Sequence, residues 1–123
     1  MDYSELWWSD GCGYAHGDTR RGLLFVACTD GVVALDAKTG TRRGRIETGK
    51  GVDNIDYIES KKRLYISAGQ AAKLTIAEAG DDGSLREVAS AEVGKGSRVV
   101  VATEDGTAYA ADSQSGAIWV VKP

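Results

Sequence analysis

Residues 23–36 decide the fold, because they read LLFVACTDGVVALD, two apolar runs joined by a three-residue turn. Runs of this length that are rich in Val, Leu and Phe and bounded by Gly, Asp and Thr are typical of β-strands. The turn ends at Gly31, and glycine favours a tight reversal of the chain. We therefore predict an antiparallel hairpin in this stretch.

The same pattern recurs along the chain at a regular spacing. Leu24-Phe25-Val26 returns 40 residues later as Leu64-Tyr65-Ile66 and a further 44 residues later as Ala108-Tyr109-Ala110. Gly49-Lys50-Gly51 returns 45 residues later as Gly94-Lys95-Gly96, each time ahead of a strand-like run. A period of about 40–45 residues that holds four short strands indicates the blade of a β-propeller. A blade covers its two apolar faces only by stacking on neighbouring blades.

This period predicts an all-β chain that forms a single partial β-propeller domain over residues 1–123. About three four-stranded antiparallel blades are expected, over residues 12–48, 49–92 and 93–123. Residues 1–11 are a candidate closing strand for the third blade, which has room for only three strands of its own. The segment Gly17-Asp18-Thr19 is not apolar, so the inner strand of the first blade is predicted to be shortened between His16 and Arg20.

Composition and charge exclude some classes of function. The 123 residues are 42% hydrophobic and 27% charged, as in an ordinary soluble domain. The net charge of −3, with Lys and Arg interleaved among Asp and Glu, argues against nucleic acid as a partner. No apolar window is long enough to span a membrane, and no basic, apolar leader precedes the first blade. The expectation is a cytoplasmic chain with no membrane partner.

Four motifs of the first blade resemble a known propeller repeat. They are residues 24–27 (LFVA), 32–35 (VVAL), 36–40 (DAKTG) and 46–49 (IETG). In this order they resemble the YVTN-type (YncE-like) repeat, and the likeness extends from about residue 12 to residue 123, as in the C-terminal two to three blades of such proteins. The resemblance implies a propeller whose full-length relatives are commonly seven-bladed and often exported to the periplasm. It implies no ligand, because the matching positions are turns and packing residues.

An isolated set of three blades leaves the ring open. Known propellers begin at about four blades, and an open fragment would leave an apolar sheet face uncovered at each end. Association of two copies about a two-fold axis is the simplest way to cover them. The sequence therefore predicts a homodimer that completes a six-bladed ring, with a trimer or a larger ring as the alternative.

Six polar residues are candidates for a ligand-binding rim around the ring axis. They are Lys50, Asp53, Asn54, Lys95, Arg98 and His16. Such a mixed, partly basic rim would suit an anion or a peptide, which favours a non-catalytic scaffold or binding module without a cofactor.

The alternative is a metal-dependent hydrolase or lactonase with its site at the ring axis across subunits. Asp53 and Asn54 offer hard oxygen ligands of the kind that divalent cations prefer, and a metal-bound water could supply the nucleophile. Arg98, at the entry of the inner strand of the next blade, opposes a cation at that place. His16 is the only histidine, so one chain cannot form a two-histidine metal site. An enzyme is therefore the less favoured hypothesis.

Two further features have structural interpretations. Cys12 and Cys28 bracket a predicted hairpin, and antiparallel pairing would bring them within disulfide reach; in a reducing compartment they would stay thiols. The two Gly-Lys-Gly segments lack the remaining residues of a phosphate-binding loop. We predict that they connect blades and that their glycines take positive φ.

Overall fold

The structure, a computed structural model, describes residues 12–123. Within this range eleven β-strands form three antiparallel sheets, in the order β1-β2-β3-β4, β5-β6-β7-β8 and β9-β10-β11. We call these sheets blades 1, 2 and 3. Their strands are β1 Tyr14–Asp18, β2 Leu23–Cys28, β3 Gly31–Asp36, β4 Arg42–Glu47, β5 Val52–Ile58, β6 Arg63–Ala68, β7 Lys73–Ala79, β8 Leu85–Glu92, β9 Ser97–Ala102, β10 Ala108–Asp112 and β11 Ala117–Val121.

This architecture confirms the prediction that the chain is a fragment of an all-β propeller. The one helical element in the described range is a single 3-10 turn, Glu59–Lys61, and no described helix has the length and apolarity to cross a membrane. The predicted closing strand in residues 1–11 lies outside the described residues. The structure corrects one detail of blade 1, because its inner strand continues through His16 and Gly17 to Asp18.

The strand register shows that the recurring aromatic positions are equivalent. Phe25 lies opposite His16, Tyr65 lies opposite Asp56, and Tyr109 lies opposite Val101. In each case the aromatic or apolar run forms the second strand of a blade, between the inner strand and the third. The repeat read from the sequence is therefore a repeat of strand position and register.

The blades are held together by two apolar cores. We call the face of a blade that lies toward the next blade its forward face and the opposite one its backward face. Phe25 and Ala34, on the forward face of blade 1, pack with Ile55 and Ile66 on the backward face of blade 2. At the next junction the core includes Tyr65, Leu74 and Ile76 from blade 2 and Val100, Ala108 and Ala110 from blade 3.

Central strands are buried on both sides, which explains their nearly continuous apolar sequence. Residues 64–68 of β6 are all buried, whereas the outer strand β4 alternates between exposed and partly buried residues and carries three arginines. The outer strands of blades 1 and 2 nevertheless approach closely. A Cβ atom added at Gly44 in β4 would collide with the carbonyl oxygen of Gly83, just before β8. These two blades therefore contact each other at their outer as well as their inner edges.

Candidate functional site

A pocket lies between blades 2 and 3 at the end of the sheets where the inner strands β5 and β9 begin. We call this end the rim. The pocket has a volume of about 420 Å³ and is lined by Asp53, Gly69, Gln70, Lys95, Arg98 and Gln114. It therefore combines two cations, one carboxylate and two side-chain amides.

Each lining residue is placed by a strand start or a tight turn. Asp53 is the second residue of β5 and Arg98 the second of β9, so both project at the entry of an inner strand. Lys95 precedes β9 in the connection between the blades. Gly69 stands in the turn between β6 and β7, where a Cβ atom would lie 3.1 Å from the carbonyl oxygen of Lys95. A larger residue at position 69 would push the two walls of the pocket apart.

The polar groups of the pocket are accessible to a ligand. The Arg98 Nε lies 4.0 Å from Asp53 Oδ2, and both side chains are more than half exposed. An exposed ion pair of this length contributes little to stability, so the guanidinium can turn toward an incoming anion. With Lys95, the pocket has one more positive than negative charge. Such a site is suited to holding a carboxylate or a similar anion.

The structure brings together only some of the predicted rim residues. Asp53, Lys95 and Arg98 line the same pocket. Lys50 lies in the turn before β5, where its carbonyl oxygen accepts a hydrogen bond of 3.1 Å from Ala71 N; it is not among the lining residues.

Asn54 and His16, the other two predicted rim residues, lie at the junctions between blades. The Asn54 side-chain oxygen accepts a 2.8 Å hydrogen bond from Val100 N, and Asp56 accepts another of 2.8 Å from Ala102 N. His16 Nε2 lies 3.6 Å from an oxygen of the same Asp56 carboxylate. These groups connect neighbouring inner strands, so Asn54 and Asp56 stabilise the junction rather than face the pocket.

Sequence reasoning missed Gln70 and Gln114. Both lie in the turn between the second and third strands of their blades, and they are 44 residues apart. This spacing equals one of the intervals of the aromatic repeat, so extending the repeat to polar turn residues would have found them.

The two Gly-Lys-Gly segments need glycine for different reasons. Gly49 and Gly51 take positive φ values of 114° and 82°, which agrees with the prediction from the sequence. Gly94 and Gly96 instead lie against the Asp112 carboxylate, with which a Cβ atom at either position would collide. The prediction of positive φ is therefore wrong for the second segment, which needs glycine for close approach.

At the opposite end of the blades, a buried carboxylate links blade 1 to blade 2. Asp18 is 0% exposed and accepts hydrogen bonds from Tyr57 Oη at 2.7 Å, Arg21 Nη1 at 2.9 Å and Arg21 N at 3.1 Å. Burial alone would raise the pKa of Asp18, but the hydrogen bonds from Tyr57 and Arg21 outweigh it and lower the pKa to about 2. Burial and the neighbouring carboxylate raise the pKa of Tyr57 above its usual value.

Cys12 and Cys28 form a disulfide, with their Cα atoms 3.8 Å apart and a sequence separation of 16. The bond joins the chain just before β1 to the last residue of β2, at the rim end of blade 1. It thus lies on the first blade, away from the pocket between blades 2 and 3.

A family comparison covers most of this architecture. The model of the methylamine dehydrogenase heavy chain (MADH) family matches residues 12–105, which include blades 1 and 2 and the inner strand of blade 3. The chain belongs to the methylamine dehydrogenase heavy chain family. Comparison with curated proteins finds no match.

Solved structures similar to this family member share its fold at low sequence identity. A chain of Kuenenia stuttgartiensis hydrazine synthase is 20% identical, with a TM-score of 0.69 over 82% of this chain and 29% of its own. A chain of the mitotic checkpoint complex is 14% identical, with a TM-score of 0.71 over 92% and 36%. The β-propeller domain of Myceliophteria thermophila Cps50 (Swd1) is 11% identical, with a TM-score of 0.74 over 97% and 41%. The chain thus spans well under half of each.

The hydrolase alternative requires a set of metal ligands. Within residues 12–123 no three His, Cys, Asp or Glu side chains are grouped so that they could hold a metal ion. The Asp53 carboxylate lies 4.0 Å from the Arg98 guanidinium. The side-chain oxygen of Asn54 already accepts a hydrogen bond from Val100 N. In this pocket the charged side chains beside Asp53 are the cations Lys95 and Arg98.

Proposed function

We propose that this chain is a non-catalytic β-propeller scaffold whose rim pocket binds a carboxylate-bearing anion, either a small one or the side chains of an acidic peptide. The observation that carries the proposal is the convergence of Lys95 and Arg98, from the start of blade 3, on the same pocket as Gln70 and Gln114. A guanidinium and an ammonium supply charge, and the amide groups supply donors that orient a planar carboxylate.

The exposure of the pocket sets the strength of binding. Because Arg98 is 69% exposed, its attraction for an anion is screened by water and salt. We expect an affinity that weakens steeply with ionic strength and a ligand that gains specificity by contacting both blades at once. An acidic peptide lying along the rim would meet these conditions better than a single monocarboxylate.

The scaffold role includes self-association. Among the described residues, blade 3 exposes the apolar side chains of Val99, Val101, Ile118 and Val120, which a second copy would cover. We also propose that the repeats are of the YVTN type (YncE-like), an assignment that the order of the motifs in blade 1 supports. None of these features calls for a reaction.

The experiment is a titration of the full chain with tetraglutamate and, separately, with citrate. Binding is measured by isothermal titration calorimetry and by the changes in backbone amide chemical shifts in NMR spectra. We expect shifts centred on Lys95, Arg98 and the two glutamine turns, with dissociation constants that rise at higher salt. Arg98→Ala and Lys95→Ala should each weaken binding about tenfold, the effect of losing one charge-assisted hydrogen bond.

A matched control removes an exposed arginine that lies outside the pocket. Arg42→Ala, in the outer strand β4, changes the net charge by the same amount and should leave binding nearly unchanged. If all three variants weakened binding equally, the attraction would be a general charge effect. No binding of either probe at low salt, or shifts at a different surface, would refute the rim site.

A further inference from the structure

Two matching β-bulges lie at the entry of the inner strands β5 and β9. In β5 the pairing steps from Val52 to Asn54 over adjacent partners in β6, which leaves Asp53 as the extra residue. In β9 the pairing steps over Arg98 in the same way. A bulge turns a side chain out of the regular alternation of its strand. Both extra residues line the rim pocket, where both side chains are exposed.

The two bulges carry opposite charges at equivalent positions. Asp53 and Arg98 are 45 residues apart, which is also the spacing of the two Gly-Lys-Gly segments. Asp53 belongs to the inner strand of blade 2, whereas Arg98 belongs to that of blade 3 and follows shortly after the second lining cation, Lys95. The pocket therefore has a negative group from blade 2 and positive groups from the entry of blade 3. Asp53 Oδ2 and Arg98 Nε are 4.0 Å apart.

The two glutamines of the pocket are held in place by glycines of the Gly-Lys-Gly segments. A Cβ atom at Gly51 would lie 2.8 Å from Gln70 Cγ, and a Cβ atom at Gly96 would lie 2.8 Å from Gln114 Cγ. Each glutamine stem thus packs directly on a glycine, which restricts where its amide group can lie. Groups that are already ordered lose less freedom when a ligand binds. An amide offers both a donor and an acceptor, so it can bond to a ligand group of either charge.

Asp53 affects which anions the pocket can hold. A carboxylate that approaches Arg98 also approaches Asp53, because the two side chains are 4.0 Å apart. Like charges at such a distance repel each other, so Asp53 disfavours a ligand that carries carboxylates alone. A ligand that also carries an ammonium group can pair with both protein charges. In an α-amino acid the nitrogen and the carboxyl carbon are about 2.5 Å apart, which is close enough to engage neighbouring charges of opposite sign.

We propose that the rim pocket selects a ligand that carries an ammonium group and a carboxylate on the same residue, as free glutamate does and as the N-terminal residue of an acidic peptide does. The carboxylate binds at Arg98 and Lys95, and the ammonium group binds at Asp53. The inference rests on the proposed anion-binding function and adds Asp53 as the residue that determines specificity. The pocket volume of about 420 Å³ falls in the range of small-ligand sites, roughly 300–1,000 Å³, so one amino-acid residue fits.

The test compares glutamate with glutarate, which has the same five-carbon chain and both carboxylates but lacks the ammonium group. Isothermal titration calorimetry of the full chain at low salt measures the two dissociation constants. We expect glutamate to bind about tenfold more tightly, which is the effect of one additional charge-assisted hydrogen bond. A general charge effect would give the opposite order, because glutarate is the more negative of the two at neutral pH.

Asp53→Asn keeps the size of the side chain and removes its charge. It should weaken the binding of glutamate about tenfold and strengthen the binding of glutarate, so that glutamate loses its advantage. Asp53 is exposed and its side chain pairs only with Arg98 among the described residues, so the variant should fold as the parent does. The matched control is Glu87→Gln, which removes an exposed carboxylate on the outer strand β8. It should leave the ratio of the two dissociation constants unchanged.

A second pair of ligands identifies the source of the ammonium group. Acetylation of the N-terminus of tetraglutamate removes its ammonium group and leaves its carboxylates in place. If the pocket holds a peptide N-terminus, acetylation should weaken binding to the parent about tenfold and have no effect on binding to Asp53→Asn. Equal binding of the two peptides, together with a preference for glutamate over glutarate, would assign the pocket to the free amino acid.

The outcomes separate this inference from the function on which it rests. Equal binding of glutamate and glutarate would overturn the role of Asp53 and leave the anion pocket in place. The same conclusion would follow if Asp53→Asn changed the affinity for both ligands in the same direction. Failure of all four ligands to bind at low salt would refute the anion pocket itself.

Discussion

The hydroxyl of Tyr57 donates a 2.7 Å hydrogen bond to the buried carboxylate of Asp18, 39 residues earlier in the chain and on the neighbouring blade. Arg21 holds the same carboxylate from its own blade and also reaches Asp81 at 2.7 Å. One buried charge thus has partners on both sides of the junction. The arrangement replaces apolar packing at the end of β1, where the chain leaves the sheet.

Removing the Tyr57 hydroxyl should weaken this junction. Tyr57→Phe keeps the ring that packs against Phe25, with centroids 4.8 Å apart, but takes one donor from a buried carboxylate. Because the hydrogen bond is to a charged group, we expect a loss of about 1.5–3 kcal/mol in the free energy of unfolding, measured by urea denaturation. Tyr14→Phe, at an exposed tyrosine, should change it by less than about 0.5 kcal/mol.

Stability should fall in acid through Asp18. Its pKa is about 2 in the folded chain against an ordinary value of 3.8, so the unfolded chain takes up the proton first as the pH falls. The stabilisation is complete above pH 3.8 and is lost as the pH falls through about 2. Asp36 and Asp105, whose pKa values are also about 2 because of turn hydrogen bonds, act in the same direction.

The variant Asp18→Asn checks this assignment. It should be less stable than the parent at neutral pH. It should also lose less stability between roughly pH 4 and pH 2, the range in which protonation of Asp18 is linked to unfolding. Thermal unfolding followed by circular dichroism across that range measures both slopes. Parallel pH profiles for parent and variant would show that Asp18 is not responsible.

The amide of Val100 should report the hydrogen bond from blade 3 to blade 2. Asn54→Ala removes its 2.8 Å acceptor and should speed hydrogen exchange at this amide, with a loss of about 1–2 kcal/mol in stability for an unpaired buried group. Asp53→Ala, at the adjacent but exposed position, should leave exchange at Val100 unchanged. Equal acceleration in both variants would mean that the amide opens with the whole blade.

The disulfide should contribute to stability through the loop that it closes. Cys12 and Cys28 are separated by 16 positions, and a loop of about this length is expected to add about 3 kcal/mol by restricting the unfolded chain. The double variant Cys12→Ser/Cys28→Ser should unfold at a lower urea concentration, and its free energy of unfolding should be lower by about 3 kcal/mol. Dithiothreitol should destabilise the parent to a similar extent and have no effect on the double variant.

The repeat in the sequence predicts strand positions well because it records which residues pack between sheets. Phe25, Tyr65 and Tyr109 fall at equivalent register positions since each blade needs a large side chain there. The pattern could not predict Asp18, whose burial depends on Tyr57, 39 residues away in the sequence, as well as on the nearby Arg21. Local polarity at Gly17-Asp18-Thr19 suggested a shortened strand, whereas a hydrogen-bonded carboxylate extends it.

For a similar reason, only part of the candidate site could be predicted from the sequence. Asp53, Lys95 and Arg98 stand at strand entries, which the repeat locates. Asn54 stands next to Asp53, but the register of β5 shifts between Val52 and Asn54, and the Asn54 side chain binds a backbone amide of the neighbouring blade. Sequence adjacency alone could not separate the residue that faces the pocket from the one that holds the junction.

The close approach of Gly44 to Gly83 has a consequence for the order in which the molecule opens. Blades 1 and 2 touch at their peripheries as well as near the axis, whereas blade 3 meets blade 2 chiefly through β5, β6 and β9. Contact at both edges means that the outer strands of blades 1 and 2 separate only when the junction near the axis is also disturbed. The first two sheets should therefore open in one cooperative step, without a prior loss of their outer strands.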